Sequence, residues 1–249
     1  VTGRVIAVTG GGSGIGAAVV RLLLDRGDAV IDLDLAHPRE ETLAEGAPGA
    51  ERVHRARCDV SDVESLAAAL DAGIARFEGR FDGLVHCAGI YLKSPTEDVD
   101  LGTWNRVLDI NLGGSFAAAS LAGNRLIAAG RPGSIVLVSS TAAFLGDRAE
   151  PSAGYAASKG GVVSLGRQLA VEWGHRGIRT NVVVPGVIDT PMTTVIEHPE
   201  AFAHVLASIP LGRLGSADEV AQVCVFLGSP EAGFVNGAVV PVDGGQLVS

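Results

Sequence analysis

Short apolar runs alternate with longer stretches of helical period along almost the whole chain. Residues 4–9, Arg-Val-Ile-Ala-Val-Thr, are nearly all apolar, as in a strand covered on both faces of a parallel sheet. The glycine-rich stretch Gly10 to Gly16 follows, then residues 17–24 with helical spacing, closed by Gly27. Residues 29–35 and 53–60 read as the second and third strands, the latter ending at Asp59-Val60. Ser61 or Asp62 can cap a helix on which Val63, Leu66, Leu70, Ile74 and Phe77 share one face. Residues 81–87 form a fourth strand broken by Ala88-Gly89, and 104–126 a long small-residue helix interrupted at Gly113-Gly114. The fifth strand spans 133–140, and Gly154 opens another helix of small and apolar residues. A strand at 178–184, a helix at 218–227 and a strand at 238–242 complete the series. Residues 37–50 are polar and read as a peripheral helix or loop. Residues 192–210 carry apolar positions without a firm period and read as a lid, here placed at about 190–212.

No linker, repeat or low-complexity stretch divides the 249 residues, so one domain over 1–249 is expected. The alternation predicts an α/β, Rossmann-type doubly wound fold: a seven-stranded, mostly parallel sheet with helices on both faces. Ligands of such sheets bind beyond the carboxyl ends of the strands. Gly10 to Gly16, Asp34, Asp59, Gly89, Ser140 and Pro185-Gly186 all fall at that edge, and this convergence marks a site more firmly than any one motif.

Composition narrows the classes. A hydrophobic fraction of 47% with only 4% aromatic residues supplies an aliphatic core, and the 34 glycines cluster at turns without a collagen-like period. A formal charge of −9 and the absence of any Lys/Arg run argue against a nucleic-acid or anionic-membrane surface. Cys58, Cys87 and Cys224 lack paired spacing and read as reduced thiols, with no metal set. The opening runs straight into a strand without signal-peptide character, and no apolar run reaches ~18 residues, so a soluble, cytoplasmic protein is expected.

Three sequence features carry chemistry. A strand, a glycine-rich turn and a helix start make an anion site, because free N–H groups and missing Cβ atoms admit a pyrophosphate. About 20 residues further on, an acidic side chain at the end of the second strand is placed to read a ribose 2′-OH. Asp34 fits that place better than Asp32. With uncharged Ser13 and Leu35 flanking, a carboxylate there favours NAD over NADP. Thirdly, Tyr155 and Lys159 stand four apart on one helix face. An ammonium held beside a phenol is expected to lower its pKa and suit it to acid/base work. Asn111, just before the helix break, is either a structural hydrogen-bonder or a holder of water.

With these pieces in place the chain resembles the short-chain dehydrogenase/reductase family, in its branch of about 250 residues. The matching residues are Thr9-Gly10-x-x-x-Gly14-x-Gly16, Asp59-Val60, Ala88-Gly89, Asn111, Ser140, Tyr155-x-x-x-Lys159, Pro185-Gly186 with Thr190, and Val242-Asp243-Gly244-Gly245. The resemblance implies Tyr155 as acid/base and Lys159 as holder of the ribose hydroxyls. It implies Ser140 as donor to the substrate oxygen and Asn111 as anchor of a water linking Lys159 to solvent. It implies a nucleotide site of Gly10, Gly12, Ser13, Gly14, Ile15, Gly16, Asp34, Leu35, Asp59, Val60, Cys87, Ala88 and Gly89. Pro185, Gly186, Ile188, Thr190 and Met192 extend that site, with Ile188 and Thr190 meeting the nicotinamide amide. It further implies a homotetramer.

The sequence also departs from the family pattern. His86-Cys87-Ala88-Gly89 stands where Asn-Asn-Ala-Gly is common, and His86 reads as a structural substitute, not a catalyst. Ser140 precedes Tyr155 by fifteen residues, a longer spacing than usual, which the loop 146–153 absorbs. Ser139 is the alternative serine. A Ser-His-Asp hydrolase is the rival for these hydroxyls, but no Gly-x-Ser-x-Gly elbow surrounds either. The expected reaction is NAD-linked interconversion of a secondary alcohol and its ketone. An NADPH-dependent carbonyl reductase of 3-oxoacyl type and a silent dinucleotide sensor are the alternatives. Ile90, Tyr91, Leu92, Leu145, Val187, Met192 and Ile196 suggest a hydrophobic small-molecule substrate, while Arg148 and Arg213 are unsupported as anion readers.

Overall fold

The computed structural model describes residues 3–35, 50–148, 150–193, 195 and 199–249. Seven strands form one sheet: β1 (Val5–Thr9), β2 (Ala29–Asp34), β3 (Val53–Arg57), β4 (Gly83–His86), β5 (Gly133–Val138), β6 (Ile178–Pro185) and β9 (Val239–Val242). Their order is β3-β2-β1-β4-β5-β6-β9 and every pair is parallel, so the expected mostly parallel sheet is wholly so. Most strands shorten relative to the sequence reading, while β6 runs one residue further, to Pro185. The third ends at Arg57 and the fifth at Val138, which leaves Asp59-Val60 and Ser139-Ser140 in the loops beyond the sheet edge.

The strands form because each face of the sheet has its own cover. Val5, Ala7, Ile31, Leu33, Leu84, Ile135 and Leu137 face one side, under α2 (Val63–Arg76), α4 (Gly114–Ala128) and α5 (Ala153–Gly174). Ile6, Val8, Val30, Val85, Val136 and Val183 face the other, under α1 (Gly14–Asp25) and α7 (Ala217–Leu227). That alternation is the period of two imposed by the pleat, with both faces dry. Local signals fix the helix starts. Asp62 caps α2 by accepting from Glu64 and Ser65 N–H at 3.1 Å, and Ser216 with Glu219 closes a capping box on α7.

The long helix expected over 104–126 is instead α3 (Leu101–Leu108) and α4, joined by one π-helical turn, Asp109–Gly113. Asn111 lies in that turn, so the disturbance expected at Gly113-Gly114 belongs to the residues just before it. A parallel pair that the sequence did not announce, β7 (Ile188–Asp189) and β8 (Gly215–Ser216), ties the segment after β6 to the start of α7. Within the expected lid, Pro199–Ala207 is helical (α6), and Val195, Val205 and Ile209 pack together beneath it. The peripheral stretch 37–50 falls outside the described residues up to the 3₁₀ turn Ala50–Arg52, as does the pocket position Ile196.

Candidate active site

The strand order reverses between β1 and β4, and the loops leaving those two strands open a cleft of about 1990 Å³. That is the switch point of an open α/β sheet, where ligands settle. Gly10 takes φ 72°, and a Cβ there would meet Ala88 N at 2.8 Å, so the two loops touch through backbone alone. A Cβ on Gly16 would lie 2.0 Å from the Gly10 carbonyl oxygen, which lets the first turn of α1 close directly onto the loop. Ser13 is the N-cap of α1 yet makes no side-chain cap bond, and the first turn carries no acidic residue. The helix therefore presents N–H donors to the cleft. This cradle, which any side chain at Gly16 would fill, fits a dinucleotide pyrophosphate. Among the described residues no group of metal ligands occurs.

Most of the residues singled out from the sequence line this cleft: Gly10, Ser13, Gly14, Ile15, Gly16, Asp34, Leu35, Asp59, Val60, Cys87, Ala88, Gly89, Ser140, Tyr155, Lys159, Pro185, Gly186, Ile188, Thr190 and Met192. Gly12 and Asn111 stand behind it. Gly12 turns its N–H to Asp34 Oδ2 at 2.9 Å, fixing the carboxylate at the end of β2 against the loop. Asn111 Oδ1 accepts from Ile90 N–H at 2.8 Å, while Nδ2 donates to the Ile90 carbonyl and Ser158 Oγ. Its side chain thus braces the loop after β4 against α5, the hydrogen-bonding option left open by the sequence.

On the other wall, Tyr155 and Lys159 do share one face of α5. Lys159 Nζ lies 5.7 Å from the Tyr155 ring centre and donates to the Val138 carbonyl at 2.9 Å. Both serines border the cleft, but Ser139 is buried and gives its hydroxyl to the Lys159 carbonyl at 2.8 Å, which favours Ser140 as the donor to a ligand. One electrostatic expectation is corrected. Burial pushes the Tyr155 phenol up, and only the Ser140 hydroxyl pulls it back. The ammonium is not among the groups that shift the phenol, and its own burial brings Lys159 down to about 8.

His86 behaves as the structural substitute it was read to be. Its Nδ1 pairs with Thr9 Oγ1 at 2.8 Å inside the sheet, and the same hydroxyl accepts from Ala88 N–H at 3.4 Å. Burial, aided by Lys159, lowers the imidazole to about 3, so it stays neutral. Arg213 is drawn away from the cleft into a two-point pair with Glu219, at 2.9 and 2.7 Å.

A family model described as enoyl-(acyl carrier protein) reductase matches residues 10–246, nearly the whole chain. The chain belongs to the short-chain dehydrogenase/reductase family. It is similar to the D-threitol dehydrogenase of Mycolicibacterium smegmatis, 39% identical over 99% of this chain and 94% of the relative. It is 41% identical to the cis-4-hydroxycyclohexanecarboxylate dehydrogenase of Sinomonas cyclohexanicum, over 97% of this chain and 96% of that one. Among solved structures, a Beutenbergia cavernae protein described as an NAD(P)-dependent gluconate 5-dehydrogenase, with NADP bound at low occupancy, superposes with TM-score 0.91. It is 36% identical and covers 99% of this chain and 98% of its own. As a short-chain dehydrogenase/reductase, the chain is an oxidoreductase of the CH–OH group working with a nicotinamide dinucleotide.

Two cleft residues had escaped notice as polar groups. Tyr91, read from sequence as apolar lining, stacks edge-on against Tyr155 with ring centres 5.2 Å apart and donates its hydroxyl to Glu150 Oε2 at 2.9 Å. Glu150 belongs to the loop 146–153, and the long Ser140-to-Tyr155 spacing was the signal that could have found it. Leu92 lies outside this cleft, against α3 and the start of α5.

Proposed function

We propose that this short-chain dehydrogenase/reductase interconverts a small secondary alcohol and its ketone, using NAD, with Tyr155 as the acid/base. The observation carrying this reading is a half-buried phenol, with a serine hydroxyl and an ammonium beside it, in the same cleft as a glycine-built anion cradle. When bound, the nicotinamide dinucleotide supplies the acceptor or donor of hydride. Tyr155 Oη takes the substrate's hydroxyl proton in oxidation and returns it in reduction. Ser140 Oγ donates to the same substrate oxygen and so holds it within reach of the phenol. Lys159 has two N–H donors beyond its bond to Val138, and ribose hydroxyls are the partners we assign to them. A positive charge on the bound partner would favour the phenolate and counter the burial that raises Tyr155.

NAD is preferred in this reading because the Asp34 carboxylate accepts a hydrogen bond from a ribose 2′-OH and repels a 2′-phosphate. The NADP held by the Beutenbergia relative supports the rival, an NADP-linked carbonyl reductase of 3-oxoacyl type, so both nucleotides belong in the test. Ile90, Leu145, Val187 and Met192 make the inner pocket apolar, and the relatives' substrates, a hydroxycyclohexane acid and threitol, are small secondary alcohols. We take residues 1–249 as one working domain of a cytoplasmic enzyme, with 190–212 as its lid. A homotetramer is the assembly we expect, since α4 and α5 leave Phe116 and Val171 exposed, and sedimentation tests it. The decisive assay follows the nicotinamide absorbance with a panel of secondary alcohols and each nucleotide. NAD-linked turnover is expected. Dinucleotide binding without turnover on any alcohol or ketone would mean a sensor instead.

A further inference from the structure

The cleft wall opposite the glycine loop carries a polar cluster that the proton path does not use. Glu150 is tucked in, its side chain 18% exposed, and it holds two partners. Tyr91 donates its hydroxyl to Oε2 at 2.9 Å, and Lys93 donates to Oε1 at 2.6 Å from its more open position, 45% exposed. Ser152 Oγ lies beside this pair and donates to the Glu150 carbonyl at 3.3 Å. The loop itself is anchored without that carboxylate. Ser94 N–H donates to the Pro151 carbonyl at 2.9 Å, and Ser94 and Ser152 form a parallel bridge.

The chemistry of the cluster is one-sided. A carboxylate offers about four lone-pair sites, and here two are taken, so Glu150 keeps free acceptors. Tyr91, whose O–H is committed to Glu150, has no further hydrogen to donate. Glu150 and Tyr91 both line the cleft, and the Tyr91 ring rests against Tyr155. Beside the phenol, then, the Tyr91–Glu150 pair presents hydrogen-bond acceptors on a wall where Ile90 and Leu145 are apolar and Arg148, from the same loop, also borders the cleft. A saturated hydrocarbon placed there would strip water from the remaining acceptor sites of a half-buried carboxylate and put nothing in its place, at a cost. A ketone or a second carboxylate brings only more acceptors. A hydroxyl group brings the donor that is missing.

We propose that Glu150, positioned by Tyr91, is a specificity residue that accepts a hydrogen bond from a second hydroxyl of the substrate, so that diols and polyols are preferred over simple hydrophobic alcohols. This rests on the alcohol-oxidoreductase reading above and revises its substrate class from hydrophobic to hydroxylated. It also gives the long loop between Ser140 and Tyr155 a purpose, since that loop delivers the carboxylate.

The test compares cyclohexanol with cyclohexane-1,2-diol, and butan-2-ol with butane-2,3-diol, in the wild type and in Glu150→Ala and Glu150→Gln. In the wild type kcat/KM is expected to favour the diol of each pair. In Glu150→Ala the diol-to-alcohol ratio should fall about tenfold or more, the loss of one hydrogen bond to a charged group. Glu150→Gln keeps an acceptor oxygen and should fall less. If the ratio stays at its wild-type value while both rates and the melting temperature drop together, Glu150 only clamps the loop and the proposal is overturned. A wild type that prefers the simple alcohol also overturns it. A wild type that oxidises no alcohol of either kind removes the underlying reading and this proposal with it, an outcome distinct from the other two.

Discussion

The two walls of the cleft are built on different principles. The nucleotide wall is mostly backbone: Gly10 and Ala88 meet through main-chain atoms, Gly16 closes on Gly10 with no room for a methyl group, and α1 begins with uncapped N–H groups. The substrate wall is mostly side chains: Tyr155 against Tyr91, Lys159 on the Val138 carbonyl, and Glu150 held by Tyr91 and Lys93. A site made by leaving atoms out writes itself into the sequence as glycines at fixed places. A site made by side chains from one helix and two separate loops shows in the sequence only where two of them share the helix face. The contrast also predicts that damage to one wall should spare the other's task.

Gly16→Ala strikes the first wall hardest. Its new Cβ would lie 2.0 Å from Gly10 O, and the nearest atoms are all backbone of Gly10 and Gly11. Overpacking of that kind costs about 1–3 kcal/mol, or roughly 10–100-fold in NADH affinity if it falls on the bound state. A fluorescence titration with NADH reads the loss directly, and unchanged affinity would mean that the nucleotide lies elsewhere. Asp34→Asn separates the charge of the carboxylate from its bond to Gly12 N–H, which an amide oxygen still accepts. The ratio of NAD to NADP affinity should fall by roughly tenfold. No change in that ratio would leave Asp34 a loop brace only.

Smaller effects come through pH. His86 is lowered from 6.5 to about 3, so between those values the unfolded chain binds the extra proton. Native stability must therefore decline as pH falls from about 6.5 towards 3. Lys159 is lowered from 10.5 to about 8, and the unfolded chain again holds more protons between the two values. Stability gains from this group as pH rises from about 8 to 10.5. His86→Asn should flatten the acid limb of a denaturation midpoint plotted against pH while leaving the alkaline limb in place. An acid limb unchanged in that variant would show that His86 is not the group responsible. Smallest of all, Asp62→Ala removes the side-chain cap of α2 at a position between the cleft residues Ser61 and Val63 that does not itself line the cleft. It should cost about 1 kcal/mol in denaturant unfolding with no change in kinetics.

The fold was legible because its signals are local and repeated. Each buried strand reads as an apolar run, each helix start as a cap or a glycine, and their alternation fixes the parallel topology. The glycine loop, Asp34 and the Tyr155–Lys159 pair were legible for the same reason, since spacing of 3.6 residues per turn determines which side chains meet. What escaped depended on distance in space. Gly113-Gly114 announces a disturbed helix beside Asn111 but not its kind, a π turn in which the side chain bonds the Ile90 backbone. Nothing near Tyr91 announces Glu150, fifty-nine positions away, as its hydrogen-bond acceptor. The expectation that Lys159 would lower the Tyr155 pKa went astray because spacing reports nearness and not burial. Both groups are desolvated, which raises the phenol and lowers the ammonium.

The central claim is that one phenol moves the proton in a cleft whose other wall binds the nucleotide. Tyr155→Phe, measured both for NADH affinity and for kcat on a secondary alcohol, tests it most directly. The account predicts a fall of about 10²–10⁴-fold in kcat, with the NADH dissociation constant left close to its wild-type value. A folded variant that keeps most of its turnover, or one that loses NADH binding as steeply as activity, would contradict it.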